Sequence, residues 1–341
     1  MPLDEEVNAE IAGVSGQSEA QRLSMDDMRK PNFDPGLTQK YSGGLNRVIN
    51  RDGKFNVRRT GRTWRDWHPY LFLIRASWPL FLSLVVLTFL AVNTTYALLY
   101  ALNGLEYLKN AQAPDGWESL MNAFFFSAHT LTTVGYGNMW PVGAIANLIA
   151  VAESLTGVLG FAIATGLLFG RFSRPSARFG FSQNIVIAPY MGGTSLQFRV
   201  VNRRTNDIID VEARMLLMLV EFCDGKPQRR YFPLTLERPS VMFFALTWTV
   251  VHPINEASPL FGKTAEDLKQ NQAEFLIMMK GFDDTFAQNV NARYSFRYDE
   301  VVWGARFVTA FDVEKSGDLR IEVNKVGMIE PAELPALKVG A

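Results

Sequence analysis

From Ala76 to Leu105 the chain contains no Asp, Glu, Lys or Arg, and from Ser119 to Gly170 it contains one, Glu153. Within 341 residues, nothing constrains the fold more than these two stretches. As helices, the segments near Trp78 to Asn103 and Val142 to Phe169 would each run about 40 Å, enough to cross a ~30 Å hydrocarbon layer with tilt. Between them, Trp117 to Leu131 is shorter and rich in aromatic residues. It reads as a re-entrant helix, because non-helical backbone at membrane depth must be buried in protein or line a water-filled cavity. The expected membrane domain is therefore all-α, with two crossing helices and a short helix between them.

The short helix runs into Thr132-Thr133-Val134-Gly135-Tyr136-Gly137. Glycine at alternate positions permits the φ > 0 conformations that keep neighbouring carbonyls pointing one way. A strand of this kind turns successive main-chain oxygens toward one axis, with the Thr133 hydroxyl adding a further ring. Such oxygens replace the water shell of a dehydrated K⁺, so ion sites are expected at Thr133, Val134, Gly135 and Tyr136, with Gly137 completing the filter. Val134 and Tyr136 face away from the ions. One chain supplies one wall, so four chains are needed.

Composition divides the chain. Residues 76–170 are strongly apolar, whereas 180–341 have the make-up of a soluble domain. Lys and Arg balance Asp and Glu at 34 each, and no basic stripe with interleaved aromatics suggests nucleic acid. Cys223 is the single cysteine, which rules out an intrachain disulfide and suits a reducing compartment. With three histidines and no P-loop or dinucleotide fingerprint, no catalytic constellation and no cofactor is expected. The first thirty residues are polar and acidic, so the first membrane helix is expected to direct insertion. Lys54, Arg58, Arg59, Arg62, Arg65 and Arg75 precede that helix, and Arg171, Arg174 and Arg178 follow the second. Glu106, Lys109, Asp115 and Glu118 lie in the connecting loop. The positive-inside rule then puts both termini in the cytoplasm.

Arg47 to Val57 has an Asp-Gly turn signal between apolar positions, as in a short strand or hairpin. Trp64 to Ile74 has the composition of an amphipathic interfacial segment, with Pro69 suited to a first helical turn. From Ile185 onward short strands alternate with turn signals, as in an all-β sandwich. Thr264 with Asp267 three residues on caps one helix among them.

These residues match a known family. The chain resembles inward-rectifier potassium channels, most closely the prokaryotic branch, over about residues 45–325. The resemblance is held by NRDGKFNV, DWHPY, SWPLFL, FFFSAHTLTTVGYG and GRFSRP, and in the soluble part by VVNRRTNDIIDVEARMLL, LTWTVVHPINEASPLFG and ARYSFRYDEVVWGARF. It implies a fourfold homotetramer, with an immunoglobulin-like cytoplasmic sandwich that extends the pore inward. The domain plan that follows is 1–40 disordered, 41–63 a cytoplasmic strand region, 64–75 an interfacial slide helix, 76–172 the pore domain, 173–325 the sandwich and 326–341 a tail.

The resemblance also assigns sites. Phe161, Thr165 and Phe169, at i, i+4 and i+8, look like the pore lining, with Phe169 at the gate of the helix-bundle crossing. Phe161 stands where strong rectifiers have an acidic residue. Gly281 to Asn289 matches a second constriction with Ala287 near its apex; Lys280 replaces an acidic residue there, while Asp210 keeps one. Weak block by polyamines or Mg²⁺ is implied. Arg75, Arg171, Arg174 and Arg178 match a site for anionic lipids or phosphoinositides, though topology charge would look the same. His129 stands in the pore helix where relatives have an acidic or polar residue. Glu153 either faces the upper cavity or supports the back of the pore helix. The localisation implied is a bacterial inner membrane. A rival from another class, a membrane-anchored binding or scaffold protein with a non-conducting pore, would have no use for the two filter glycines.

Overall fold

The computed structural model describes residues 35–40, 47–61, 63–173, 178–223 and 225–335. Two compact units are formed, one within Arg59–Arg174 and one from residues of Met1–Arg58 and Pro175–Ala341.

The first unit is helical. A 3₁₀ turn at Trp64–Asp66 precedes α1 (Pro69–Arg75), then come α2 (Trp78–Asn103), α3 (Gly116–Leu131) and α4 (Ala144–Phe172). Pro69 and Pro79 occupy the first turns of α1 and α2, where the missing N–H costs nothing. The Asp115 side chain accepts the Trp117 N–H at the start of α3. Within α2 the side chains of Asn93, Thr94 and Thr95 donate to carbonyls one turn back at 2.7–2.8 Å, which hides their polar hydrogens in an apolar run. The two-residue strands β1 (Leu108–Lys109) and β2 (Trp140–Pro141) pair across the connecting segment. The helices α2 and α4 are long and apolar enough to cross a membrane.

The second unit is a β-sandwich. Its strands are β3 (Phe179–Phe181), β4 (Ile185–Tyr190), β5 (Gly193–Asn202), β6 (Ile208–Cys223), β7 (Lys226–Leu234), β8 (Ser240–Phe243) and β9 (Trp248–Ile254). After α5 (Ala265–Gln270) come β10 (Glu274–Asp283), β11 (Gln288–Arg297), β12 (Val301–Trp303), β13 (Ala305–Phe307), β14 (Phe311–Val313), β15 (Leu319–Ile321) and β16 (Ile329–Pro331). One sheet runs β11-β10-β6-β7 with β8 also on β6; the other runs β12-β4-β5-β3 with β9 also on β5. The core between them follows period two: Leu196, Phe198 and Val200 of β5 meet Ala213, Met215, Leu217 and Leu219 of β6 and Phe275, Ile277 and Met279 of β10. The capping box at Thr264 and Asp267 starts α5 as the sequence predicts.

Three boundaries differ from the sequence reading. Residues 1–34 lie outside the described residues, but the expected disorder does not extend to 40. Gln39 accepts the Arg229 N–H at 2.9 Å and Lys40 bridges Gln228, because β7 offers an open edge. The helix expected over 64–75 is shorter, since Pro69 sets its start. The tail begins later than 326, because β16 pairs with β13 and completes a two-stranded sheet. The Asp52-Gly53 turn does close a hairpin, with Ile49 bridging Phe55. That hairpin covers the outer face of the β6–β10 sheet through Ile49, Met218, Val220 and Leu276. Glu274 accepts the Val48 N–H at 3.0 Å, Ser295 donates to the Ile49 carbonyl at 2.7 Å, and Arg47 and Arg51 both pair with Glu300.

His252 of β9 is buried, with Nδ1 2.7 Å from the Thr235 carbonyl and Nε2 2.8 Å from Ser258 Oγ. A carbonyl only accepts, so Nδ1 carries the proton and Nε2 accepts from the serine. Burial holds its pKa below the ordinary value, against the opposing bond to Thr235. The unfolded chain takes up this proton near pH 6.5 and the folded chain only at lower pH. The stability contribution is therefore full above about pH 6.5 and declines as the pH falls through that window. Thermal unfolding of the full-length protein between about pH 7 and 5 should show this slope, and His252→Gln should flatten it. An unchanged slope in the variant would place its source elsewhere.

Candidate functional site

The segment after α3 has an alternating backbone. Thr133, Gly135 and Gly137 have φ of +60°, +54° and +77°. Val134 and Tyr136 are not among the residues of positive φ. The N–H of Thr133 donates to Thr130 at 3.0 Å, and those of Val134 and Gly135 donate to His129 at 2.9 and 3.2 Å. In a trans peptide the C=O points opposite to the following N–H. The carbonyls of Thr132, Thr133 and Val134 therefore point away from the end of α3, one after another. The C-terminal end of α3, with its partial negative charge, lies behind them. Such a row of oxygens offers ligands to a bare cation and nothing to an anion.

Thr133 was not expected at positive φ, because the sequence argument reserved that conformation for glycine. Its position at the end of α3, held by the bond to Thr130, explains how a β-carbon is tolerated there. His129 is half-buried, and its ring meets Tyr136 edge-on with centroids 4.7 Å apart. Beyond the filter, Asn110 Nδ2 donates to the Asn138 carbonyl at 2.9 Å and the Val142 N–H donates to Tyr107 at 2.7 Å. These bonds tie the outer end of the filter to the loop between α2 and α3.

Glu153 is fully buried behind α3 rather than facing a cavity. Tyr100 Oη of α2 donates to its Oε2 at 2.8 Å, and Ser127 of α3 bonds its Oε1. Ser127 Oγ also lies 3.1 Å from Asn93 Oδ1. A carboxylate inside a membrane span is expensive unless it is partnered. Here the partners come from both neighbouring helices, so α2, α3 and α4 meet at one polar knot within an apolar unit. Asn93, Tyr100 and Ser127 were not singled out from the sequence. The signal available was polar residues interrupting apolar runs at the depth of Glu153.

Phe161, Thr165 and Phe169 are all exposed along one face of α4. Arg75 and Arg178 are exposed, and Arg174 lies outside the described residues. Arg171 is different. It bonds the carbonyls of Leu73, Ile74 and Ala76, and its guanidinium sits over the rings of Trp78 and Phe81. Its guanidinium is directed into the protein, whereas Arg75 and Arg178 are exposed.

The segment 281–289 is mostly strand. Its turn is held by Asp283, fully buried, which accepts from Thr285 N–H at 3.1 Å and Asn206 Nδ2 at 2.7 Å. Ala287 is exposed in that turn, with φ of +49°. Asp210, also at φ +49°, lies where the β6–β10 register shifts between Lys280 and Phe282. Lys280 stands opposite Glu212, which Arg214 also meets at 2.8 Å.

Both units have counterparts among known proteins. A family model described as the inward rectifier potassium channel C-terminal domain matches residues 179–340, and one described as ion channel matches residues 84–174. The chain is 38% identical to inward rectifier potassium channel Kirbac3.1 of Paramagnetospirillum magnetotacticum, over 82% of this chain and 94% of that protein. It is 27% identical to ATP-sensitive inward rectifier potassium channel 12 of Gallus gallus, over 80% of this chain and 68% of that one. It is also 27% identical to G protein-activated inward rectifier potassium channel 3 of Mus musculus, with 89% and 82% covered.

Proposed function

The chain belongs to the inward-rectifier potassium channel family, and on that premise we propose that it works as a fourfold homotetramer passing K⁺ down its gradient through the filter at Thr133–Gly137. The alternating φ of the filter, with its N–H groups turned back to α3, is the observation that supports this most directly. A lone chain leaves Val134 51% and Tyr136 73% exposed, so side chains that should pack behind an ion path lack cover that neighbouring copies would supply. The protein is a channel, not an enzyme. Uptake of Rb⁺ into liposomes, blocked by Ba²⁺ and unaffected by equal Na⁺, is the expected result. Uptake that Na⁺ matches would count against it.

The gate is assigned to Phe169, with the turn bearing Ala287 as a second constriction. Arg75, Arg174 and Arg178 are assigned to anionic lipids or phosphoinositides at the inner leaflet, where each basic residue near the surface contributes about 1 kcal/mol. The charge asymmetry around the spans supports both termini in the cytoplasm, and the resemblance to the prokaryotic branch supports a bacterial inner membrane.

Rectification should be weak. A polyamine or Mg²⁺ must be held against its own desolvation by negative charge along the pore. Phe161 occupies the usual acidic position, and the Glu153 carboxylate is turned into the helix knot. Asp210 is the attractor that remains, close to Lys280 across the sheet. Phe161→Asp places four carboxylates around one axis and should make block by cytoplasmic spermine at least tenfold stronger (about 1.4 kcal/mol). Recordings of inward and outward current with and without spermine decide it. Steep block in the unmodified channel, or no gain in the variant, would mean that another face of α4 lines the pore.

A further inference from the structure

Strand β7 contains Pro227 and Pro233. Proline has no N–H, so it suits a strand whose outer edge is left open. The Arg229 N–H points away from β6, since it donates to the Gln39 carbonyl at 2.9 Å. The β6–β7 register runs without a shift from Lys226 to Leu234. Alternate residues of such a strand turn their N–H groups the same way, so residues 227, 229, 231 and 233 all face the outer edge. The two prolines remove the outer donors at both ends and leave a window at Arg229 and Tyr231. We propose that this window is a strand-addition site, that residues 37–40 of the same chain are its resident occupant, and that an extended peptide of the same pattern displaces them.

The occupant shows what the site selects. Gly36 has φ of +77°, a turn conformation that glycine takes without strain. After it, Leu37 packs against Ile49, Met218, Val220, Tyr231 and Leu276. The Thr38 carbonyl accepts from Tyr231 Oη at 3.0 Å, the Gln39 carbonyl accepts from Arg229, and Lys40 bridges Gln228 in antiparallel register. In strand addition, main-chain bonds give affinity and side-chain pockets give specificity. Here the pocket takes one apolar residue, and the three residues after it are exposed. The partner is therefore an extended segment with one apolar residue followed by polar ones. The hold is also light. The hairpin near Asp52-Gly53 is fastened by buried Ile49 and by the contacts to Glu274, Ser295 and Glu300. Residues 37–40 bury no side chain fully. A segment with little buried apolar contact opens at low free energy, and an edge uncovered in that way is a template for another chain.

The test uses the full-length protein carrying Cys223→Ser, so that introduced cysteines are the only ones. With Gln39 bonded to Arg229, Lys40 and Gln228 form a pair without hydrogen bonds of its own. The Cα atoms of such a pair stand about 4.5 Å apart, within reach of a disulfide. Lys40→Cys with Gln228→Cys is expected to oxidise within one chain, leaving subunits that run singly on a non-reducing gel. Lys40→Cys with Arg230→Cys is out of register and should oxidise at least tenfold more slowly. A ladder of linked subunits would overturn occupancy by the same chain, and equal rates would overturn the register. A labelled peptide with the sequence of residues 35–40 reads displacement. It is expected to bind Leu37→Asp, whose resident strand has lost its apolar anchor, at least tenfold more tightly than the unmodified protein. The oxidised Lys40→Cys, Gln228→Cys protein should not bind it until reductant is added. The same peptide with aspartate in place of its leucine should bind none of them. No binding to Leu37→Asp would overturn the site, and binding to the oxidised protein would place the peptide elsewhere and overturn it equally. Should Leu37→Asp assemble poorly, Leu37→Ala must strengthen peptide binding by a smaller factor. No gain there would also overturn the proposal.

Discussion

Gly135→Ala is expected to abolish selective K⁺ flux while leaving the tetramer assembled. The residue has φ of +54°, and within the chain a β-carbon there meets nothing within 4 Å. Within the chain the effect is therefore conformational rather than a clash. A left-handed backbone costs an L-residue roughly 1–2 kcal/mol, and in the proposed fourfold ring that cost recurs in every chain. About 4–8 kcal/mol per channel then favours a filter in which the following carbonyl has turned away. Thr133 shows that one such position is affordable when the end of α3 holds it. Gly135 is one step further out, and its bond to His129 is the longer of that pair at 3.2 Å. Flux of Rb⁺ against Na⁺ and chromatographic size are the two measurements. Normal selectivity in Gly135→Ala would sink the filter assignment.

The positive φ of Gly135 and Gly137 was legible because its physics is local. Two glycines at alternate positions, a threonine before them and charge-free runs on either side each state a backbone requirement in residue types. The membrane spans were legible for a related reason: hydrophobicity over some twenty residues needs no partner to be read. What stayed hidden depended on which side chains meet. Glu153 could have faced ions or the pore helix, and only the placement of Tyr100 and Ser127 around it decides. The charge of Arg171 looked like that of Arg75 in the sequence. One caps a helix inside the protein and the other faces outward, and their type and spacing relative to the membrane are the same.

In the sandwich, alternation revealed the strands but not their pairing. The bulge at Asp210 arises because β6 carries one residue more than β10 opposite Gly281. A β-carbon on Gly281 would fall 2.8 Å from Ile208 Cγ2, so the glycine is what lets the bulge close. From sequence, that glycine read as part of a loop. The N-terminal segment was similarly opaque. Val48 and Ile49 gain their order from Glu274 and Ser295, more than two hundred residues away.

The second large effect is expected at Gly157, on the face of α4 toward the pore helix. A β-carbon there would stand 2.1 Å from the Leu131 carbonyl oxygen and 2.9 Å from its carbon. Both atoms are backbone at the end of α3, immediately before the filter, so no side-chain rotation relieves the contact. Overpacking in a well-filled core costs typically 1–3 kcal/mol when side chains can shift; here a helix or the filter must move instead. Tyr96 Oη and Thr156 Oγ1, 2.8 Å apart, fix α4 to α2 one residue earlier and resist that movement. Gly157→Ala should therefore fail to give a selective channel, through loss of the tetramer or of a conducting filter. Gly160→Ala is the comparison, because a β-carbon at Gly160 meets nothing within 4 Å inside the chain. Replacing glycine in a helix by alanine is worth about 1 kcal/mol in favour of the helix, so that variant should assemble at least as well as the unmodified protein. The two alanines differ by three positions on one helix and add the same atoms. Size-exclusion profiles and Rb⁺ uptake measured side by side separate them. Equal behaviour of the two variants would mean that α4 does not approach the end of α3 in the assembled channel, and the support of the filter would have to be sought elsewhere.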